Sequence, residues 1–169
     1  VLLPFTAYLS LSAGLAFNNP LYDDLRRLTP LPVDPRILLV TIDDQSLKKL
    51  GQWPWPRSLH ADVINRLSAA QPAGILFDVI FSEPRNATDD LRLANAVCNA
   101  GNVLLPRERD GGASQPGEQL LPLLNCAKGL GHINVEADSD GAVRGLYLRE
   151  GPPGNTLPQL AWLAYTLSG

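Results

Sequence analysis

The chain has 169 residues, which suits one domain with a substantial buried core. Charged residues make up 18% and hydrophobic residues 45% of it, and the formal net charge is −3 with no run of basic residues. A nucleic-acid-binding groove needs a face rich in lysine and arginine, so the sequence argues against nucleic acid as a partner. There is no methionine, which predicts that the chain is a piece of a longer protein.

The first 17 residues, VLLPFTAYLSLSAGLAF, carry no charged side chain. A helix that spans a bilayer takes about 20 apolar residues, and this segment lacks the basic start and the cleavage site of a signal peptide. We interpret residues 1–17 as the end of a truncated N-terminal membrane helix and residues 18–169 as the folded domain. A buried terminal helix of a soluble domain is the alternative interpretation.

Apolar runs alternate with helical patterns along the rest of the chain. Runs typical of buried parallel strands are RILLVTID, GILFDVIF and NVLLP, at 36–43, 74–81 and 102–106. Helical patterns occupy 20–29, 44–51, 57–70, 88–100, 119–128 and 156–168, the last with a capping box from Thr156 to Gln159. The order predicts a single three-layer α/β domain with helices on both faces of a mostly parallel sheet. An antiparallel hairpin over 132–148, turning at Asp140-Gly141, is expected on the same sheet.

Polar residues cluster in sequence at the carboxyl ends of the first two predicted strands, where open α/β sheets bind ligands. These residues are Asp43, Asp44, Arg57, Asp78 and Glu83. The four acids offer ligands for a divalent cation, which would suit a small metal-dependent enzyme. Helix capping and pairing with Arg57 or Arg85 are the structural alternative for the same acids.

Two tryptophans stand in the proline-rich loop GQWPWPR, before the helix predicted from residue 57. Trp53 and Trp55 suit a structural wedge against the edge of the sheet. They also suit a recognition surface, because a bulky aromatic side chain on a stiff loop loses little entropy on binding. Both interpretations stay open from the sequence.

Signatures of catalysis are missing from the sequence. There is no G-x-S-x-G elbow and no glycine-rich phosphate loop after the first strand. Asp43-Asp44 and Asp78 superficially match a phosphoacceptor receiver domain, but arginine replaces the lysine expected after a later strand. Two cysteines and two histidines show no zinc spacing, so we predict no catalytic residue, no metal and no cofactor. Cys98 and Cys126 are either free thiols or, in an oxidising compartment, a disulfide.

The chain resembles the type-two CHASE domain, the cyclase- and histidine-kinase-associated sensory extracellular domain. The resemblance runs from about Asp34 to Ser168. It rests on RILLVTIDDQSLKKLGQWPWPRSLHADVINRL, GILFDVIFSEP, DDLRLANAV and GHINVEADSDGAVRG in the family's order. The blocks IDD…G-x-W-PWPR and FD-x-x-F-x-EP are specific, and D-x-DG-x-x-R supports them. Within these blocks we single out Trp53, Trp55, Arg57, Phe81 and the acids named above as signature or ligand-binding candidates.

The resemblance implies a sensory input domain outside the cytoplasmic membrane, in the periplasm, tethered to the inner membrane through both ends. It also implies further membrane helices and a cytoplasmic output module such as a histidine kinase, a nucleotide cyclase, a diguanylate cyclase or a serine/threonine kinase. We expect the domain itself to be non-catalytic, to respond to a small-molecule or protein stimulus, and to form a homodimer through a terminal helix. A soluble metal-dependent enzyme and a ligand-free dimerisation module are the alternatives.

Overall fold

A computed structural model describes residues 21–30, 32–81, 84–107 and 121–168. The chain divides into two compact units, Val1–Asp43 and Asp44–Gly169. In the first unit, residues 21–28 are helical (α1), and residues 32–43 contain a turn at 35–36 and no strand. The membrane helix predicted over residues 1–17 lies outside the described residues and stays a prediction. None of the helices described is long and apolar enough to cross a membrane.

The strand predicted at 36–43 is wrong, because residues 36–43 form no strand and the apolar run lies exposed. Leu38 and Leu39 are each 81% exposed. A turn fixes the backbone directly before the run: the carboxylate of Asp34 accepts hydrogen bonds from the backbone and the guanidinium of Arg36. The same bonds lower the pKa of Asp34 to about 2. An apolar run predicts a tendency toward burial, whereas a strand also requires a neighbour that hydrogen-bonds to it.

The second unit contains the remaining helices and strands. Its helices are α2 (Asp44–Leu50), α3 (Arg57–Ala69), α4 (Ala87–Ala100), α5 (Leu121–Cys126) and α6 (Leu160–Ser168). Its strands are β1 (Ile75–Leu76), β2 (Val103–Pro106), β3 (Gly129–Gly131), β4 (Arg149–Glu150) and β5 (Leu157–Pro158). The strands β1, β2 and β3 form a parallel sheet in that order, and β4 pairs antiparallel with β5 in a separate sheet. The predicted α/β class, with a mostly parallel sheet and an antiparallel pair near the C-terminus, is therefore confirmed.

The second predicted strand is shorter than expected, and the antiparallel pairing lies elsewhere than in the predicted hairpin. Of the run 74–81, Ile75 and Leu76 alone are in a strand, because the chain turns where the N–H of Val79 bonds to the carbonyl of Phe77. The hairpin predicted over 132–148 on the main sheet is wrong: its described pairing is a bridge between Glu136 and Gly145. The antiparallel pair follows it, in β4 and β5.

Ion pairs hold the turn within the 132–148 segment together. Arg144 binds the carboxylates of Asp138 and Asp140, each at 2.7 Å. The side-chain bond from Arg144, with a backbone bond from Ala142, lowers the pKa of Asp140 to about 2. Gly141 occupies the left-handed region at φ 81°, which suits glycine. These contacts tie the polar side chains to one another and tighten the turn.

The core of the second unit lies between α3, α4 and the parallel sheet. Its most buried side chains are Ala61, Ile64, Leu93, Val97, Val103, Leu105 and Leu123. Helix α4 is well delimited, since Asn86 caps its first turn by accepting from the N–H groups of Thr88 and Asp89. Gly101 ends it in the left-handed conformation at φ 66°. The cap and the stop therefore define where α4 begins and ends.

Two close contacts hold α5 and α6 against this core. A disulfide joins Cys98 on α4 to Cys126 at the end of α5. At the end of β3, a Cβ added to Gly131 would lie 2.6 Å from the Cα of Leu160, so glycine alone allows β3 and the start of α6 to approach. The predicted capping box differs in detail, because α6 begins at Leu160 and the side chain of Gln159 accepts from the N–H of Trp162.

Candidate functional site

The loop before α3 holds one tryptophan inside the protein and presents the other at the surface. The ring N–H of Trp55 donates to the carbonyl of Gly51 at 2.8 Å, and Trp55 is 5% exposed. Trp53 precedes a cis proline and is 45% exposed. The loop therefore anchors itself through Trp55 and leaves much of Trp53 accessible.

Both tryptophans belong to an aromatic cluster centred on His60, which we call the His60 cluster. His60 is 3% exposed, and its ring centroid lies between 5.4 and 6.3 Å from those of four aromatic side chains. These are Trp53, Trp55, Phe77 and Phe81. The separations suit edge-to-face and tilted aromatic contacts. The cluster joins the tryptophan loop to the segment that follows β1.

His60 is electrostatically suited to this apolar setting. Burial holds the pKa of His60 below its ordinary value of 6.5, and the positive charge of Arg57 lowers it by a smaller amount. The imidazole is therefore neutral at neutral pH, and it packs as a fifth ring of the cluster rather than as a cation.

A buried ion pair lies beside the cluster and links α3 to α4. Arg57 Nη1 lies 2.6 Å from Asp90 Oδ1, and the side chains are only 5% and 9% exposed. The other carboxylate oxygen of Asp90 accepts from the backbone N–H of Arg85 at 3.0 Å. The guanidinium carbon of Arg57 lies 5.3 Å from the ring centroid of Phe81, within the range of a cation–π contact. The pair thus fixes Phe81 and the beginnings of both helices.

A family model matches almost the whole chain: the CHASE2 domain model covers residues 1–168. The chain belongs to the CHASE2 domain family. No curated protein and no solved structure matches the chain. CHASE2 domains are extracytoplasmic sensory domains, so the resemblance noted in the sequence is confirmed at the level of the family and its sensory class.

In this CHASE2 domain the candidate aromatic residues come together, whereas the candidate acids Asp44 and Asp78 are not part of their cluster. Asp44 begins α2 at the surface, and Asp78 is exposed after β1. Asp43 belongs to the first unit, and Glu83 lies outside the described residues. Among the residues that the structure describes, no three His, Cys, Asp or Glu side chains are grouped to hold a metal ion. Arg57 pairs with Asp90, an acid outside the set considered from the sequence.

Sequence reasoning missed Asp90 and His60 as members of the site, although the sequence carries a signal for both. Buried positions on α3 fall at 57, 60, 61 and 64, and those on α4 include 90, 93, 94 and 97. Each set has the spacing i, i+3, i+4, i+7, which marks one face of a helix. An arginine and an aspartate at the head of two such apolar stripes indicate a buried pair when the helices pack together.

Proposed function

We propose that this chain is the extracytoplasmic, non-catalytic input domain of a bacterial transmembrane receptor. The match to the CHASE2 family over residues 1–168 carries the proposal. The receptor spans the inner membrane and couples the domain to a cytoplasmic histidine kinase, nucleotide cyclase or diguanylate cyclase. The domain lies in the periplasm and works without a cofactor.

Location is the first part of this proposal to test. Alkaline phosphatase folds to an active form outside the cytoplasm, because its disulfides form there. We expect a fusion of this enzyme to the C-terminus of the chain, with the preceding natural sequence retained, to be active in cells. A fusion that is active only when a signal peptide is added contradicts the extracytoplasmic location.

We further propose that Trp53 is the contact through which the domain recognises its stimulus. Trp53 is 45% exposed, while Trp55 is buried and fixes the loop. An exposed aromatic side chain on a preorganised loop has the character of a binding hot spot. The ring centroid of Trp53 lies 5.8 Å from that of Trp55 and 5.5 Å from that of His60. Because His60 is part of α3, a stimulus that moves Trp53 would also change the packing of α3.

A thermal-shift screen of small molecules and periplasmic protein fractions tests this contact. The expected result is a hit that raises Tm of the wild type by at least about 2–4 °C, the shift for about 1 kcal/mol in a domain of this size. The Trp53→Ala variant should lose that shift. Tyr147→Ala is the matched control, since Tyr147 is an aromatic residue that is 57% exposed outside the cluster and outside α6, and it should retain the shift. Equal shifts in both variants contradict a role for Trp53.

The homodimer remains part of the proposal, with α6 as its contact. Helix Leu160–Ser168 has no charged residue, and the rings of Trp162 and Tyr165 stack at 5.4 Å with 37% and 69% of these residues exposed. Aromatic side chains are enriched at protein interfaces. Sedimentation equilibrium should show a dimer for the wild type and a monomer for Tyr165→Lys. A monomeric wild type contradicts the dimer in solution.

A further inference from the structure

His132 is a buried histidine outside the site described above. It follows β3 directly, its side chain is 0% exposed, and neither ring nitrogen has a hydrogen-bond partner among the described residues. Among the described residues, the acid beside it is Glu150 on β4, whose Oε2 lies 3.6 Å from Nδ1 of the imidazole. The same oxygen accepts from the side-chain amide of Asn134 at 2.8 Å, which holds the carboxylate beside the ring.

The backbone at His132 joins three elements. Its N–H donates to the carbonyl of Pro158 in β5 at 2.9 Å. Its carbonyl accepts from the N–H of Leu160, the first residue of α6, also at 2.9 Å. His132 is thus the residue at which the parallel sheet, the β4–β5 pair and α6 meet.

In the part of the chain that the structure describes, Glu150 is the acid that faces the imidazole. Strand β3 (GLG), β5 (LP) and α6 contain no acidic or basic side chain, and Tyr165 is the titratable group on α6. On β4, Arg149 is exposed and donates through Nε to the hydroxyl of Thr156. At the end of β2, Arg107 contacts the junction by its backbone N–H, which donates to the carbonyl of Gly131.

We propose that His132 and Glu150 form a proton-operated latch between β3 and the β4–β5 pair. An imidazole is the side chain whose ordinary titration falls between about pH 5 and 8. With a proton on both nitrogens, the ring donates to the Glu150 carboxylate as a charge-assisted hydrogen bond, and a small shift closes the 3.6 Å gap. Without that proton the two groups lose this attraction, and the junction at the start of α6 loosens. The latch is separate from recognition at Trp53 and does not rest on it.

A double-mutant cycle at two pH values tests the latch on the 169-residue chain. Tm is measured at pH 8 and pH 5.5 for the wild type, Glu150→Gln, His132→Gln and the double variant. We expect the coupling between the two residues to be larger at pH 5.5 by about 2–4 °C in Tm. All four proteins retain His60, so its titration cancels in the cycle. A coupling that is equal at both pH values, or larger at pH 8, overturns the proposal.

Amide hydrogen exchange supplies a readout that does not require the buried histidine to be replaced. Glu150→Gln preserves the shape of a partly exposed side chain, and its carbonyl oxygen can still accept from Asn134. For the amides of His132 and Leu160, the ratio of the protection factor at pH 5.5 to that at pH 8 should be at least about threefold higher in the wild type than in Glu150→Gln, corresponding to about 0.6 kcal/mol. Both proteins retain His60, so its titration affects the two ratios equally. Equal ratios in the two proteins overturn the latch even if His132→Gln fails to fold.

Discussion

At the scale of single residues, two ion pairs join α3 to α4 in different surroundings. Arg57 and Asp90 are almost fully buried, whereas Arg92 and Asp62 are about half exposed, at 52% and 47%. Their shortest N–O distances are nearly the same, 2.6 and 2.5 Å. Because a buried charge without a partner loses its hydration and gains nothing in return, the two pairs should differ in the cost of losing one member.

We expect Asp90→Asn to lower the free energy of unfolding by about 3–5 kcal/mol, since it leaves the Arg57 guanidinium buried beside a neutral amide. Asp62→Asn is the matched control, because it breaks an exposed pair between the same helices. It should cost less than about 1 kcal/mol. Urea unfolding of the two variants and the wild type measures both values. Similar losses in the two variants would show that burial of the Arg57 pair is not the deciding factor.

His60 predicts a dependence of stability on pH. Burial and Arg57 lower its pKa in the folded state below the ordinary 6.5. Between those two values the unfolded chain binds more protons, so the contribution of His60 to stability is complete above about pH 6.5 and declines as the pH falls. The stability of the wild type relative to His60→Gln should therefore fall between pH 7.5 and pH 5. Urea unfolding at both pH values checks this, and a constant difference would refute it.

At the scale of elements, the sequence predicts helices better than strands. The predicted helix at 57–70 is observed as Arg57–Ala69, and that at 88–100 as Ala87–Ala100. Pro56, Asn86 and Gly101 mark these boundaries locally, through hydrogen bonds and dihedral angles within a few residues. The runs at 36–43 and 74–81 have no such local determinant, because strand length depends on a partner elsewhere in the chain. For the same reason the Arg57–Asp90 contact required knowledge of which helices pack together.

The disulfide between α4 and α5 should contribute strongly to stability. It closes a loop with a sequence separation of 28, for which the chain-entropy model gives about 3–4 kcal/mol. We expect Cys98→Ser, Cys126→Ser and the double variant to lose this amount equally, because each removes the same bond. Urea unfolding measures the three losses. A double variant that loses less than about 1 kcal/mol is incompatible with this role of the disulfide.

At the scale of the whole molecule, the first unit carries an exposed apolar run. Ile37, Leu38, Leu39 and Val40 are 59–81% exposed, in contrast to the closely packed core of the second unit. Exposed apolar surface of this extent is unusual in a monomeric protein. The solvent accessibility of this run can be measured directly.

An introduced cysteine reports that accessibility, because Cys98 and Cys126 are bonded to each other and do not react. We expect the thiol of Leu39→Cys to react with a maleimide at nearly the rate seen in urea, since Leu39 is 81% exposed. Leu105→Cys is the matched control in the core, at 2% exposure, and should react at least about a hundredfold more slowly. Equal protection of both thiols would mean that the run is covered in solution.

The close approach of Gly131 to Leu160 makes the start of α6 its most tightly held point. The contact there is between backbones. Farther along the helix, the side chain of Leu163 makes the close contact with Gly129 of β3, and a side chain can adjust its position. From Leu160 to Ser168 the helix rises about 12 Å. A tilt of about 10° about Leu160 displaces its far end by about 2 Å. A small tilt at the base of α6 would therefore produce a larger displacement at its tip.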